Sequence, residues 1–172
     1  VSEDTQHSTI TAGSKMRFYD HGTHNGWYWS FWWNDKGQKP DFQLGQGSSY
    51  SVTWRGEGVD GFNFTCGKGW QFGEADRKVG FEAQFNPGSN GYLALYGWTN
   101  DPVVEYYVVE NYGPWTPPGA QSQGTFTSDG GTYNLYKVSR YNEPWIKGGN
   151  GNFDQYWSVR TSKRSSGVIT FK

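Results

Sequence analysis

A glutamate set among tyrosines is the feature of this 172-residue sequence best suited to chemistry. Glu105 sits in Val103-Val104-Glu105-Tyr106-Tyr107-Val108-Val109-Glu110, and Tyr92-Leu93-Ala94-Leu95-Tyr96-Gly97-Trp98 comes shortly before it. Both stretches alternate with period two and are rich in aromatic and β-branched residues, so both read as strands. Thr99-Asn100-Asp101-Pro102 between them has turn chemistry, with Pro102 removing a backbone donor. Successive strand side chains point to opposite faces. On that count Leu93, Leu95, Val104, Tyr106 and Val108 share a core face, and Tyr92, Tyr96, Glu105 and Tyr107 share the other. An ionised carboxylate among aromatic rings needs hydrogen-bonding partners or a chemical task. The bland alternative is a glutamate on the wetted face of an antiparallel sheet.

Composition narrows the classes. Aromatic residues make up 19% of the chain, more than a core of this size requires, and the 25 glycines point to many turns. That combination suits an all-β protein with one aromatic-lined face. Such rings stack on sugars, and they can equally stack on nucleobases. A net charge of −1 supplies no basic field for phosphate backbones, which argues against nucleic acid. The single cysteine, Cys66, cannot close an intramolecular disulfide, so packing must hold the fold. Cysteine offers no metal cluster. His21 and His24 could in principle hold a metal, but loop histidines are more often simply solvated. No apolar run reaches membrane-spanning length, and no signal peptide is visible.

The elements that must position Glu105 follow in order. Val1 to Asp20 is polar, with a short strand expected near Ser8-Thr9-Ile10-Thr11. Gly22-Thr23-His24-Asn25-Gly26 reads as a turn before Trp27-Tyr28-Trp29-Ser30-Phe31-Trp32-Trp33, a strand aromatic on both faces. Asp41–Leu44 and Tyr50–Trp54 bracket a Gly/Ser turn as a hairpin. Gly61–Trp70 and Lys78–Phe85 are further strands, and Asn86-Pro87-Gly88-Ser89-Asn90-Gly91 is a turn into the central pair. A proline-rich loop spans Asn111–Gly119. Gly124–Gly131 ends a strand in a turn, strands are expected at Thr132–Tyr141 and Phe153–Arg160, a tight loop lies at Asn142–Gly149, and another strand begins in Ser162–Lys172. Nothing shows helical periodicity or internal repetition.

Several of these segments together resemble glycoside hydrolase family 11, the small β-jelly-roll endo-1,4-β-xylanases. The segments are Leu95-Tyr96-Gly97-Trp98 followed by Val104-Glu105-Tyr106-Tyr107-Val108-Val109-Glu110, Asn63-Phe64 with Gly67-Lys68-Gly69-Trp70, Asn25-Gly26 with its aromatic run, and Phe153-Asp154-Gln155-Tyr156-Trp157-Ser158-Val159-Arg160. The resemblance implies one domain over residues 1–172, a β-jelly-roll sandwich of two strongly curved, mostly antiparallel sheets with a concave aromatic-lined cleft. It implies retaining endo-hydrolysis of β-1,4-xylosidic bonds in xylan or xylo-oligosaccharides, with no cofactor or metal, by a secreted, extracellular protein in its mature form. It also implies a monomer when the domain is complete, with no nucleic acid or membrane partner. Glu105 would be the nucleophile, with Tyr96 and Arg140 donating hydrogen bonds to it. Tyr92, Tyr107 and Gln155 would line the cleft, and Pro144 and Ile146 would cover the substrate from a thumb loop. Trp145 stands there in place of the family's serine, which would add a stacking surface or alter the packing of the tip. Asn63 would bond the acid/base carboxyl and set a pH optimum nearer neutral than acidic. Asn63-Phe64-Thr65 is also a glycosylation sequon, expected unused because a glycan there would block the cleft. Counting from Asn25-Gly26 makes Trp32 the stacking tryptophan, and counting back from Asn34-Asp35 makes it Trp33. The face shared with Tyr28 favours Trp32.

Retaining hydrolysis needs two carboxyl groups about 5–5.5 Å apart. The family's second carboxyl belongs to an E-G-Y segment after a helix, and neither is in this sequence. Glu110 has the wrong parity to join Glu105, and Glu143 falls in the thumb. The expectation is a natural chain longer than this one, whose further segment supplies the acid/base and a strand beside that of Glu105. Residues 1–172 alone would then be a poor xylanase. The alternatives are an engineered fragment, a non-catalytic carbohydrate-binding protein using the same aromatic face and, more distantly, a structural or interaction protein.

Overall fold

The computed structural model describes residues 18–88, 90–114, 117 and 120–171. His7 and the strand expected at Ser8–Thr11 lie outside them, as do Trp115, Thr116, Pro118 and Gly119 of the proline-rich loop. All regular structure among the described residues is β, as the sequence implied. The chain divides into two compact units, residues 1–73 and 74–172. Among the described residues the strands form four hydrogen-bonded groups, which is consistent with the expected jelly roll.

In the first unit, β1 (Phe18–His24), β2 (Trp27–Trp33) and β5 (Phe64–Gly69) form an antiparallel sheet in the order β1-β2-β5. The turn expected over five residues shrinks to Asn25 and Gly26, with φ of 52° and 77°. Two successive left-handed residues match the twist of flanking strands, so Gly22 to His24 continue β1 and pair with β2. Along β2, Trp29, Phe31 and Trp33 turn inward and are buried. They pack against Phe42, Leu44, Phe62, Phe64 and Cys66, and Phe31 stacks on Phe42 at 5.9 Å. Phe42 comes from the expected hairpin, β3 (Asp41–Leu44) with β4 (Tyr50–Thr53). Burying each ring is worth about 1.5–3 kcal/mol, which lets a small unit stand without a disulfide.

In the second unit, β7 (Tyr92–Asn100), β8 (Val103–Tyr112), β9 (Gln121–Ser128), β10 (Gly131–Pro144) and β11 (Asn150–Arg160) form one sheet in the order β7-β8-β11-β10-β9. All pairings are antiparallel except β8 with β11. That parallel pair is reached by routing the chain through β9 and β10, as a parallel neighbour requires a long crossover. Both flanks of Glu105's strand are therefore taken, by β7 and β11, which corrects the expectation of a further strand beside it. β10 runs on to Pro144 through a register shift between Arg140 and Glu143. The loop expected at Asn142–Gly149 thus shortens, and Asn142 (φ 53°) absorbs the irregularity. A separate pair joins β6 (Lys78–Glu82) to β12 (Ser166–Thr170). Asp129 ties β12 down, accepting from Thr170 N at 2.9 Å and Thr170 Oγ1 at 2.8 Å.

The aliphatic face assigned to the core is only half-buried: Leu93, Leu95, Val104, Tyr106 and Val108 keep partial exposure. The buried cluster is on the other face, made of Tyr107, Val109, Trp157 and Val159 with Tyr92, Ala94, Tyr96, Tyr112, Tyr136 and Val138 against it. Large rings bury one another most completely when they stack, and Tyr107 lies flat on Trp157 at 3.7 Å and 3°. Packing and chemistry thus share one face.

Candidate active site

Strand register aligns two rows across β7, β8 and β11. One row is Trp98, Glu105, Gln155, and the next is Tyr96, Tyr107, Trp157. Glu105 is 7% exposed. Its Oε1 accepts from Tyr96 OH at 3.0 Å and Tyr107 OH at 2.9 Å. Its Oε2 accepts from Gln155 Nε2 at 2.5 Å. A buried carboxylate meets the cost of leaving water through such bonds.

Three tyrosines around Glu105 are held protonated, and two of them, Tyr96 and Tyr107, donate to it. Burial, then the negative charge of Glu105, keeps the Tyr92 phenol above its ordinary value. The same two causes in the same order act on Tyr96. Tyr107 is raised by burial first, then by Tyr92, Tyr96 and Glu105. A phenol that stays protonated can keep donating to an anion.

Arg140 departs from the expectation that it bonds Glu105. Its Nε and NH2 donate to Gln155 Oε1 at 3.2 and 2.9 Å. Arg140 pairs with Phe153, one row beyond Gln155, so its guanidinium meets the amide first. Trp157 Nε1 donates to the same oxygen at 2.8 Å, and Trp98 Nε1 donates to Tyr96 OH at 2.7 Å. Neither tryptophan was singled out from the sequence. Each lies two positions beyond a site residue on a strand, and that spacing was the available signal.

The other carboxylates of interest are placed elsewhere. Glu110 faces away from Glu105, is 1% exposed, and bonds Tyr133 OH at 2.6 Å and Arg164 Nε at 2.5 Å. Asp154 also lies on the opposite face, paired with Lys137 at 2.8 Å and accepting from Ser139 at 2.8 Å. Glu143 pairs with Gly151 near the end of the β10–β11 hairpin. Beyond it, Pro144 is half-buried opposite Asn150, and Ile146 is 53% exposed at the tip. Trp145 folds back on the hairpin, with Nε1 donating to Gly148 O at 2.9 Å. A Cβ at Gly151 would sit 2.3 Å from its ring, so only glycine admits that packing.

The remaining candidates belong to the first unit. Trp33 is buried in the core, with Nε1 donating to Lys36 O at 3.0 Å. Trp32 is half-buried on the opposite face, shared with Tyr28. Asn63 is exposed just before β5, its backbone N–H bonding Asn34 Oδ1 at 3.2 Å. His21 and His24 are three positions apart on β1 and so face opposite ways. His21 lies against the rings of Tyr19 and Tyr28, and His24 Nδ1 is 3.3 Å from Lys68 Nζ, so the two do not converge on one ion.

A buried glutamate held by neutral donors on an aromatic β face is the kind of site expected of a carbohydrate-active β-protein. Comparison with known proteins carries this further: the sequence profile of glycosyl hydrolases family 11 matches residues 24–172, and the chain belongs to that family. It is 47% identical to endo-1,4-beta-xylanase 3 of Pyricularia oryzae over 151 residues, 87% of this chain and 62% of that protein. It is 42% identical to endo-1,4-beta-xylanase A of Gibberella zeae over 171 residues, 99% of this chain and 71% of that protein. It is 48% identical to endo-1,4-beta-xylanase I of Cochliobolus carbonum over 152 residues, 88% of this chain and 66% of that protein. The chain therefore spans less than two thirds of the length of the Pyricularia relative it matches.

Proposed function

We propose that this protein cleaves internal β-1,4-xylosidic bonds of xylan by retaining double displacement, with Glu105 as the nucleophile. The observation that carries the reading is the Glu105 carboxylate, held by three neutral donors on an aromatic face. Family membership and relatives named as endo-1,4-beta-xylanases support it. In the first step a Glu105 oxygen would bond the anomeric carbon while the glycosidic C–O bond breaks and the leaving oxygen takes a proton from a general acid; in the second, water would displace Glu105 from that carbon and return the proton to the same group. The face they occupy speaks against Glu110 and Asp154 as its acid/base partner. Tyr92 and Gln155 would meet the sugar beside Glu105, and Pro144 and Ile146 would close over it. Arg140 would act through Gln155. Asn63 would tune the acid/base. A polymeric substrate fits secretion, and the chain would work as a monomer without nucleic acid, membrane or cofactor.

The test uses a fluorinated xylobioside, substituted at C2, with a dinitrophenolate leaving group. Such a leaving group departs without a general acid and the fluorine slows deglycosylation, so the assay isolates the nucleophile. The expected result is one glycosyl adduct on Glu105, absent from Glu105→Gln. An adduct on another residue, or none, overturns the assignment.

A further inference from the structure

Gln155 and Tyr96 are ambivalent groups: an amide can present oxygen or nitrogen to a neighbour, and a phenol can donate or accept. Either one turned the wrong way would aim a lone pair at the Glu105 carboxylate. The structure supplies each with a partner that can only donate. Trp157 Nε1 at 2.8 Å, together with Arg140, occupies Gln155 Oε1, leaving Nε2 for Glu105. Trp98 Nε1 at 2.7 Å takes a lone pair of the Tyr96 oxygen, leaving its proton for Glu105. Trp157 also fixes the third donor, since the Tyr107 ring lies flat on it at 3.7 Å. Phe153 braces Trp98 in turn, with ring centres 4.8 Å apart.

We infer that Trp98 and Trp157 are positioning residues: their indole N–H groups, with Arg140 beside Trp157, hold Tyr96 and Gln155 as donors and so aim the Glu105 carboxylate at the anomeric carbon. Neither indole N–H bonds Glu105: one donates to Tyr96 and the other to Gln155. The inference rests on the reading of Glu105 as nucleophile. Strand periodicity builds it in cheaply, because each indole follows the residue it orients by two positions and shares its face. The register then brings the two motifs, Tyr96-Gly97-Trp98 and Gln155-Tyr156-Trp157, to opposite flanks of β8.

The test compares wild type with Trp98→Phe and Trp157→Phe. It adds a version carrying benzothienylalanine at position 157, which keeps the fused-ring shape and the stack on Tyr107 but has sulfur in place of N–H. Folding is checked first by circular dichroism, and the isostere keeps the question answerable where Trp157→Phe misfolds. Two quantities are read: the rate of Glu105 glycosylation by the fluorinated xylobioside, separated from its binding constant, and hydrogen exchange of the Gln155 side-chain amide by NMR. Losing one hydrogen bond that aims a reacting group is expected to slow glycosylation about tenfold per indole, with binding changed less than about twofold. The Gln155 amide protons should exchange faster in both position-157 variants and be unchanged in Trp98→Phe. Glycosylation at the wild-type rate in the folded variants overturns the inference. If wild type itself gives no adduct, the nucleophile reading has failed, and the amide exchange alone decides whether the indole orients Gln155. Unchanged exchange in both position-157 variants also refutes it.

Discussion

Glu105 and Glu110 lie five residues apart on one strand and should fail in different ways when changed to glutamine. Glu110 Oε1 accepts from Tyr133 OH at 2.6 Å, Oε2 accepts from Arg164 Nε at 2.5 Å, and Arg160 NH1 is 3.9 Å away. The Glu110 side chain is 1% exposed, that of Arg160 8% and that of Arg164 21%. Removing one partner of a buried ion pair costs about 3–5 kcal/mol, because the other charge stays buried. Arg160 keeps acceptors in Ser162 O, Asp129 O and Tyr133 OH, and Arg164 reaches water. Those compensations place Glu110→Gln at the low end, about 3 kcal/mol. Against a total stability of about 5–15 kcal/mol that is a large share, and it lowers Tm by about 6–12 °C for a chain of this size. Glu105→Gln keeps the shape and an acceptor for Tyr96 and Tyr107, so its cost should stay near 1 kcal/mol, while glycosylation is abolished. Urea unfolding followed by tryptophan fluorescence gives the stabilities, and dinitrophenolate release from an unfluorinated xylobioside gives the activities. A loss below about 1 kcal/mol in Glu110→Gln would refute the buried-pair argument. Abolished activity with wild-type stability in that variant would move Glu110 into the chemistry.

Four further outcomes are expected. Gly97→Ala places a Cβ 2.3 Å from Tyr106 OH on the adjoining strand, so it should cost about 1–3 kcal/mol in a urea melt, with partial recovery in the double variant carrying Tyr106→Phe. Burial works to raise Asp129, but bonds from Thr170 and Ser128 outweigh it and hold its carboxyl below the ordinary value. Its contribution is therefore present above the unfolded pKa and lost as pH falls through the folded one, so Asp129→Asn should flatten the acid limb of Tm against pH, and an unchanged limb would contradict this. Burial pushes the Cys66 thiol up to about 12, so a thiol reagent at neutral pH should react with it only after unfolding. Asn63→Asp introduces an ionisable carboxyl and should move the pH–activity profile of an active form to lower pH; an unmoved profile would separate Asn63 from the acid/base.

Much of the site was legible because a strand writes its faces into alternate positions. Tyr92, Tyr96, Glu105 and Tyr107 could be grouped by parity alone, and the same count separates Trp32 from the buried Trp33. Parity does not give register or neighbours. That Gln155, fifty residues on, lies beside Glu105 depends on a parallel pairing that no local pattern announces. The resemblance points Arg140 at Glu105, but the row it occupies on β10, opposite Phe153, brings its guanidinium to Gln155 instead. Aliphatic alternation points to the wrong face as the core, because here stacked rings bury more completely than the half-exposed leucines and valines behind them. The β10 boundary was missed because Asn142 and Pro144 look like a loop, yet pairing resumes past the irregularity at Glu143.

On the proposed reading of Glu105 as nucleophile, the two glutamates of β8 differ in what surrounds their charge. Glu110 meets guanidinium groups directly at Oε2, so its charge is balanced there, while Oε1 accepts from Tyr133 OH. Among the described residues, the groups that donate to Glu105 are neutral, and they fix its direction without pairing it to a cation. Arg140 is near, but Gln155 stands between, accepting from the guanidinium on one end and donating to the carboxylate on the other. A direct ion pair would lower the energy of the ground-state anion along with that of the transition state, in which the charge is passing to the sugar. Only interactions stronger in the transition state accelerate the chemical step. An intervening amide limits that ground-state loss while still setting the geometry, which is the arrangement an attacking carboxylate requires.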